Sequence, residues 1–420
     1  MNAFLRSLTP QPPAGALPLL LILLCFGCGV AAPPAAKVAA KRERPLSAAA
    51  IAYNDTARFI AGLPGRPDGP LAALEKTPEW QEYAKGFAET WAAFQKNQGE
   101  PMRAFEQKEM APIRPKGSFV FYPFSGPDIL YMTGFFPGRP VYVMVGLERA
   151  GTLPPPQTFK AEDMPNEVKA WTVGVRSTFK RSFFVTSEMD AQFHGRVADG
   201  LLEPICLLLA RSGYTIEDIR HGNLTPEGAF AELDPAAPPV ADARGKPLRT
   251  MGVEVTFRKG ADGDPQKIYY FSKKLDTEFK TKPGFSRFLL SLGEPDTMIK
   301  SAQFIMHWPG MADLRTQILD TSRTILEDDT GVPFRYLQPP QWEVRLFGMY
   351  SKPDKPFKTW YQKDLAKAFE DPLRVTPLGM QIGYGAWRRP SSLILATRPS
   401  VATAAMVSPV GPSPVQTPRH

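Results

Sequence analysis

A short turn at residues 125–128 carries the polar side chains that are best placed to hold a ligand. Ser125, Gly126 and Asp128 follow an apolar, β-prone run, and a glycine there lets the backbone approach a bound molecule closely. A second apolar run ends just before Glu148, whose carboxylate could accept hydrogen bonds from ribose hydroxyls. These residues therefore predict a small-molecule site at one end of a sheet.

The order of strand, glycine turn, helix start and acid-terminated strand resembles Rossmann-like methyltransferases and dehydrogenases. Glu148 lies 22 residues after Gly126, near the offset of about 20 that is usual in dinucleotide sites. The resemblance implies a nucleotide-type ligand. Pro127, however, lacks a backbone donor, which fits a structural turn in which Asp128 caps the helix. The sequence leaves both interpretations open, and we predict no cofactor.

Ser125 is also a candidate nucleophile, because the serine of many hydrolases lies in a tight turn after a strand. The Gly-x-Ser-x-Gly pattern is absent here, since prolines occupy positions 123 and 127. His221 is the candidate base, whereas His307 follows an apolar run and is typical of a partly buried histidine. A hydrolase is therefore the alternative to a protein that binds a ligand without catalysis.

Two charged runs could also bind ligands. The acids 327–329 do not alternate as in a calcium loop, and the chain has no His-x-x-x-His or paired-cysteine pattern. We therefore predict no metal site, but a solvated turn or a salt bridge to Arg323. Arg388 lies in an aromatic and basic run, 384–389, that could hold an acidic or sugar ligand or form the basic end of an exposed strand.

These candidates need a sheet to position them, and the sequence predicts a mixed α/β fold. Residues 118–122 and 141–145 are apolar runs separated by a turn and a short apolar segment, which predicts a βαβ-like unit at 118–148 with parallel strands. Hydrophobic residues at helical spacing predict helices at 47–63 and 71–110. An N-terminal helical layer therefore packs against the α/β body.

The second half of the chain has an α+β pattern. It contains a hairpin of 252–258 with 267–273, a helix at 313–326 with Asp313 as N-cap, and a closing hairpin of 381–388 with 392–397. We predict these divisions: signal 1–32, linker 33–45, helical layer 46–112, first half of the body 113–224, second half 245–398 and disordered tail 399–420.

The first residues indicate export. An apolar run at 16–27 is too short to span a bilayer but suits a signal-peptide core. Cys28 then fits a lipidated first residue; cleavage after Ala32 and an uncleaved anchor are the alternatives. Cys206, in an apolar run, is expected to be a small buried residue. The net charge of +8 indicates a basic surface, and export argues against nucleic-acid binding.

The exported start, the YPFSGPD and GLE motifs, the run 300–302 and the closing IGYGAWRR segment are similar to uncharacterised bacterial secreted or lipoprotein families. The resemblance implies a protein of the cell envelope and carries no activity with it. We therefore expect a periplasmic or outer-membrane-attached lipoprotein, or alternatively a secreted protein, that contacts the membrane through Cys28. Its small-molecule or protein partner is not defined by the sequence.

Overall fold

Apolar β-prone segments from both halves of the chain meet in one mixed sheet of eleven strands. A computed structural model describes residues 45–181, 200–233, 252–260, 262–353, 355–386 and 390–399. The strands are β1 Phe119–Tyr122, β2 Val141–Gly146, β3 Tyr214–Leu224, β4 Phe230–Glu232, β5 Gly252–Lys259, β6 Gln266–Ser272, β7 Pro295–Ile299, β8 Thr324–Glu327, β9 Glu343–Gly348, β10 Val375–Thr376 and β11 Ser392–Thr397. Their order is β10-β9-β11-β8-β7-β1-β2-β6-β5-β3-β4.

The centre of the sheet is parallel. Strands β6, β2, β1, β7 and β8 run side by side in one direction, and β1 pairs with β2 with Val120 opposite Tyr142. The predicted parallel βαβ-like unit at 118–148 is therefore confirmed. Counted along the chain, these five strands have the order 3-2-1-4-5, which is the doubly wound order of Rossmann-type sheets.

Antiparallel strands flank this parallel centre on both sides. Strands β5 and β6 form the predicted hairpin, and β3 extends it on the far edge. On the other side, β11 lies antiparallel between β8 and β9. The mixed α/β fold class is thus confirmed.

Ten α-helices cover the sheet within the described residues: α1 Ala48–Ile60, α2 Pro78–Phe94, α3 Glu100–Phe105, α4 Ile129–Phe135, α5 Met164–Arg181, α6 Leu202–Arg211, α7 Thr277–Thr281, α8 Gly284–Ser291, α9 Ala312–Thr321 and α10 Lys363–Phe369. None of these described helices is long and apolar enough to cross a membrane. Ser47 caps α1, and π-helical turns at Gln95–Gly99 and Glu106–Met110 continue α2 and α3.

The two faces of the sheet bury different sets of side chains. Along β1, Val120 and Tyr122 point to the face that the N-terminal helices cover, while Phe119 and Phe121 point to the other. The aromatic stripe of the helical layer, with Trp80, Tyr83, Phe87 and Phe94, is buried as its spacing indicates. Cys206 is buried in the same cluster. Both faces are therefore covered, as a parallel sheet requires.

Two predicted elements are wrong. The helix at 313–326 ends at Thr321, and Thr324–Glu327 forms β8 instead, because these residues complete the parallel centre beside β7. Asp313 lies in the first turn of α9, whose N-cap position is Met311. The closing hairpin is wrong as well, since Gly383–Ala386 is a 3₁₀ turn and β11 pairs with β8 and β9. The predicted signal, the linker up to residue 44, the tail from residue 400 and Arg388 lie outside the described residues.

Candidate functional site

Between β1 and β7, the connections of the parallel strands lead to opposite sides of the sheet. From β1 the chain moves to β2 and β6 on one side, and it later returns to β7 and β8 on the other. In open α/β sheets, ligands bind outside the carboxyl ends of the strands at such a switch point. Here the loops 123–128 and 300–304 follow β1 and β7 and form its two walls.

Backbone strain is concentrated in these two loops. Within the described residues, four non-glycine residues have positive φ angles: Phe124 at 60°, Ser301 at 54°, Gln303 at 52° and Phe304 at 58°. Each such residue costs of order 1–2 kcal/mol, and strain of this kind clusters at ligand and active sites. The strain therefore singles out the switch point among the loops of the sheet.

Asp128 joins the two loops through a buried ion pair. Its Oδ2 lies 2.8 Å from Lys300 Nζ and accepts a hydrogen bond from the Tyr122 hydroxyl at 2.9 Å. Its Oδ1 accepts from the Tyr131 backbone N–H at 3.4 Å, so Asp128 is also the N-cap of α4. Asp128 and Lys300 are only 4% and 2% exposed, and Lys300 Nζ lies 4.0 Å from the Tyr131 ring centroid. The carboxylate is thus held from both sides of the switch point.

Ser125 is buried in the turn after β1. Its hydroxyl lies 3.0 Å from the Gly126 carbonyl oxygen and 3.2 Å from that of Val145. Its backbone N–H also donates to the Val145 oxygen, at 2.8 Å. His221, the proposed base, places Nε2 2.9 Å from the Gly151 oxygen. The serine hydroxyl therefore has carbonyl acceptors, and Gly126 gives the turn its positive φ of 53°.

Glu148 lies just after β2, and one of its two carboxylate oxygens accepts a hydrogen bond. Its Oε2 accepts from the Leu147 backbone N–H at 3.1 Å, and its backbone oxygen accepts from the Tyr270 hydroxyl at 2.7 Å. Its Oε1 is buried without a hydrogen-bond partner among the described residues. A Cβ at Gly146 would lie 2.8 Å from Oε2, so glycine there makes room for this carboxylate. Glu148 therefore presents an unused acceptor near the switch point.

Glu327 is the last residue of β8, and Asp328 and Asp329 follow it; their burial contradicts the expected solvated turn. All three are buried, and Arg323 pairs with Glu294 instead. Asp328 Oδ2 accepts from the Ser301 N–H at 2.8 Å, and Glu327 Oε2 accepts from the Val332 N–H at 2.7 Å. The Ser301 N–H comes from the loop after β7, and the Val332 N–H comes from the loop after β8 itself. Burial raises the pKa of Glu327 well above its usual range.

A metal ion has no ready site here. Within the described residues, no group of three or more histidine, cysteine or acidic side chains is arranged to hold one. The larger open cavities lie elsewhere: one of about 820 Å³ is bordered by Tyr350 and Tyr361, and one of about 740 Å³ by Phe94 and Phe179. Neither of these two cavities is lined by Ser125, Asp128 or Glu148.

Sequence reasoning placed Ser125, Gly126, Asp128 and Glu148 at one end of the sheet, and the structure brings the loops that carry them to the same edge. It did not assign a role to Lys300. The available signal was a lysine directly after an apolar strand-forming run, at the carboxyl end where functional side chains of α/β proteins concentrate. Tyr384, in the predicted closing run, donates to the Ser301 oxygen at 3.0 Å and so also supports the loop after β7.

Comparisons of the chain with protein-family models, with curated proteins and with solved structures found no match.

Proposed function

We propose that this protein binds a small nucleoside-type ligand without catalysis at the carboxyl edge of its sheet. The observation that carries the proposal is the coincidence of two features at one place. The order in which the chain adds parallel strands reverses between β1 and β7, and all four positive-φ non-glycine residues of the described chain lie in the two loops there.

The charges at this edge favour a ligand without phosphate. Within the loops 123–128 and 300–304, Lys300 is the only lysine or arginine, and its ammonium group is paired with Asp128; the acids Asp328 and Asp329 are buried in the neighbouring loop. The Asp128 carboxylate also occupies the start of α4, where a dinucleotide would place its pyrophosphate. The residues therefore do not fit a dinucleotide, and a neutral or cationic ligand suits them better.

Glu148 is the residue that would recognise the ligand by accepting hydrogen bonds from its hydroxyl groups. An acid at the end of the second strand accepts hydrogen bonds from ribose hydroxyls in Rossmann-type sites, and Glu148 Oε1 lacks a partner among the described residues. Ligand hydroxyls would satisfy this oxygen. Gly126 would let the ligand approach the turn, since no Cβ projects from it.

The contacts of Ser125 favour a protein that binds a ligand without catalysis over a hydrolase. A serine nucleophile needs a base within hydrogen-bond reach, at about 2.6–3.2 Å. The contacts of the Ser125 hydroxyl are with two carbonyl oxygens, and His221 is engaged at Gly151. These contacts favour the binding protein over the alternative hydrolase.

Calorimetric titration with three adenine compounds tests the proposal. Adenosine and the cationic S-adenosylmethionine should bind, whereas ADP should bind at least about tenfold more weakly, because its phosphates meet carboxylates. Tighter binding of ADP than of adenosine would contradict the charge argument. Absence of binding by all three compounds would contradict the nucleoside-type ligand itself.

We further propose that the protein is exported and held at the membrane through a lipid on Cys28, with no role in nucleic-acid binding. The apolar run 16–27 followed by Cys28 supports this location. Mass spectrometry of the membrane fraction should find a diacylglyceryl group on an N-terminal Cys28. An unmodified N-terminus at Pro33 would instead indicate cleavage after Ala32 and a secreted protein.

A further inference from the structure

A second group of side chains, far along the chain from the turn at 125–128, combines exposed aromatic rings with arginines. We call it the aromatic–arginine patch; it comprises His307, Trp308, Arg315, Arg335, Tyr336 and Trp360. They come from the segment after β7, from α9, from the 3₁₀ turn Phe334–Tyr336 after β8, and from the 3₁₀ turn Lys355–Trp360. Trp308 and Tyr336 are 49% and 39% exposed, so the patch faces solvent.

Two guanidinium groups converge on one phenol within the patch. The Cζ atoms of Arg315 and Arg335 lie 5.0 Å and 4.9 Å from the Tyr336 ring centroid. A hydrogen bond from Arg335, supported by the charge of Arg315, lowers the pKa of Tyr336 below its ordinary value. Arg315 is fixed in place because its Nη1 donates to the Met306 oxygen at 2.6 Å. The two positive charges are therefore held close together.

No carboxylate balances these charges within the described part of the chain. The ion pairs of the described residues include neither Arg315 nor Arg335. His307 stands beside them, packed edge-on to Trp360 at 5.5 Å, and its Nε2 is buried with no hydrogen-bond partner among the described residues. Burial, followed by the charges of Arg335 and Arg315, lowers the pKa of His307 to about 4. Within the described residues, the patch therefore has two guanidinium groups without a carboxylate partner beside a neutral imidazole, which favours binding of an anion.

We propose that the aromatic–arginine patch binds an organic phosphate. Paired arginines match the geometry and the double negative charge of a phosphate, because each guanidinium can donate two parallel hydrogen bonds. The exposed Trp308 would pack against the organic portion of the ligand, and the Tyr336 hydroxyl would donate a further hydrogen bond. A free phosphate ester and a lipid headgroup share this chemistry, and the test below distinguishes the two sources.

The test measures binding of glycerol 1-phosphate by calorimetry and of phosphatidylglycerol vesicles by sedimentation, with phosphatidylcholine vesicles as the neutral reference. Arg335→Gln removes one guanidinium from an exposed position. Arg374→Gln is the matched control, because Arg374 is an exposed arginine outside the patch and loses the same charge. Any lipid anchor contributes equally to both variants, so their difference reports on the patch.

Arg335→Gln should weaken binding of the phosphate probe by about 10–100-fold, the effect of losing hydrogen bonds to a charged group. Arg374→Gln should change binding less than about twofold, within the small effect of an exposed charge. Saturable binding of glycerol 1-phosphate would support a free ester, and binding of phosphatidylglycerol vesicles alone would support a headgroup. Tyr336→Phe, which keeps the ring and removes the oxygen, should weaken binding less than Arg335→Gln does.

Two results would overturn the proposal. One is that neither glycerol 1-phosphate nor phosphatidylglycerol vesicles bind to the unaltered protein. The other is that Arg335→Gln and Arg374→Gln bind equally well while both keep the melting temperature of the unaltered protein. This site is independent of the proposed nucleoside-type site, since adenosine carries no phosphate and need not contact the arginines.

Discussion

The two ends of the parallel strands both bury an ion pair, but the backbone around the two pairs differs. At the amino end, Asp296 of β7 pairs with Arg139 and accepts from the Gly117 N–H at 3.2 Å. At the carboxyl end, Asp128 pairs with Lys300 between loops that hold the four strained residues. The amino end therefore has the features of a structural contact, whereas the loops at the carboxyl end contain residues in strained backbone conformations.

We infer from this difference that the amino end serves stability and that the carboxyl end is the proposed ligand site. Arg139 also donates to the Gly117 oxygen at 3.3 Å. The amino-end pair therefore links the segments that carry Gly117, Arg139 and Asp296 through hydrogen bonds and an ion pair. At the carboxyl end, the backbone is kept in unfavourable conformations and Glu148 Oε1 is left without a partner among the described residues. Such an arrangement persists where the surrounding fold over-determines it, and it is typical of functional sites.

The largest expected effect comes from breaking the carboxyl-end pair. Lys300→Met should lower the free energy of unfolding by about 3–5 kcal/mol, because it leaves the Asp128 charge buried without its cation. Urea unfolding followed by circular dichroism measures this loss. A loss below about 1 kcal/mol, the median worth of a surface pair, would show that the ion pair is not buried as described.

Arg139→Met is the matching change at the amino end. We expect a smaller loss, of about 1–3 kcal/mol, because burial already raises the pKa of Asp296 and the carboxyl can take up a proton. Adenosine binding should be unchanged in this variant. Impaired adenosine binding after Arg139→Met would remove the distinction between the two ends.

Glu327→Gln should change the pH dependence of stability. The pKa of Glu327 is raised in the folded state, so the folded protein holds a proton that the unfolded chain releases above about pH 4.5. The unaltered protein should therefore lose stability relative to the variant as pH rises from 5 to 8, by at most about 1.4 kcal/mol per pH unit. Denaturant unfolding at pH 5, 6, 7 and 8 measures the difference, and parallel curves would refute the buried, protonated state.

Ser301→Gly should give the smallest effect, a gain in stability of about 1 kcal/mol. Ser301 has a φ of 54°, which glycine adopts without strain, and its Oγ is buried without a partner among the described residues. The change removes both costs, partly offset by the flexibility that glycine adds to the unfolded chain. Thermal unfolding tests it, and a lower melting temperature would show that the strain in this loop is negligible.

Much of the organising unit could be predicted from local sequence. The β1–β2 pair is parallel because two apolar runs are joined by a segment long enough for α4, and Asp128 caps that helix as its position suggests. The boundary between α9 and β8 was missed, because Thr324 to Glu327 becomes a strand only when β7 lies beside it. Local periodicity does not contain that tertiary contact.

The site was harder to predict than the fold because its contacts are distant in sequence. Lys300 and Asp128 are 172 residues apart, and the pair depends on the crossing from β6 back to β7. Burial of the acids 327–329 depends in the same way on backbone donors such as the Ser301 N–H. Side-chain type and spacing indicated the turn and Glu148 as candidates. The partners of these residues come from segments that are distant in sequence, and only the tertiary fold brings them together.

The most direct test of the account compares one carboxylate at each end of the strands. Glu148→Gln alters the carboxyl end, while Glu106→Gln alters an acid that lines a small cavity beside Arg139 and Asp296 at the amino end. Calorimetric titration with adenosine should show binding weakened by about 10–100-fold in Glu148→Gln, since a hydrogen bond to a charged group is lost, and unchanged in Glu106→Gln. Equal affinities in the two variants would contradict a ligand site at the carboxyl end.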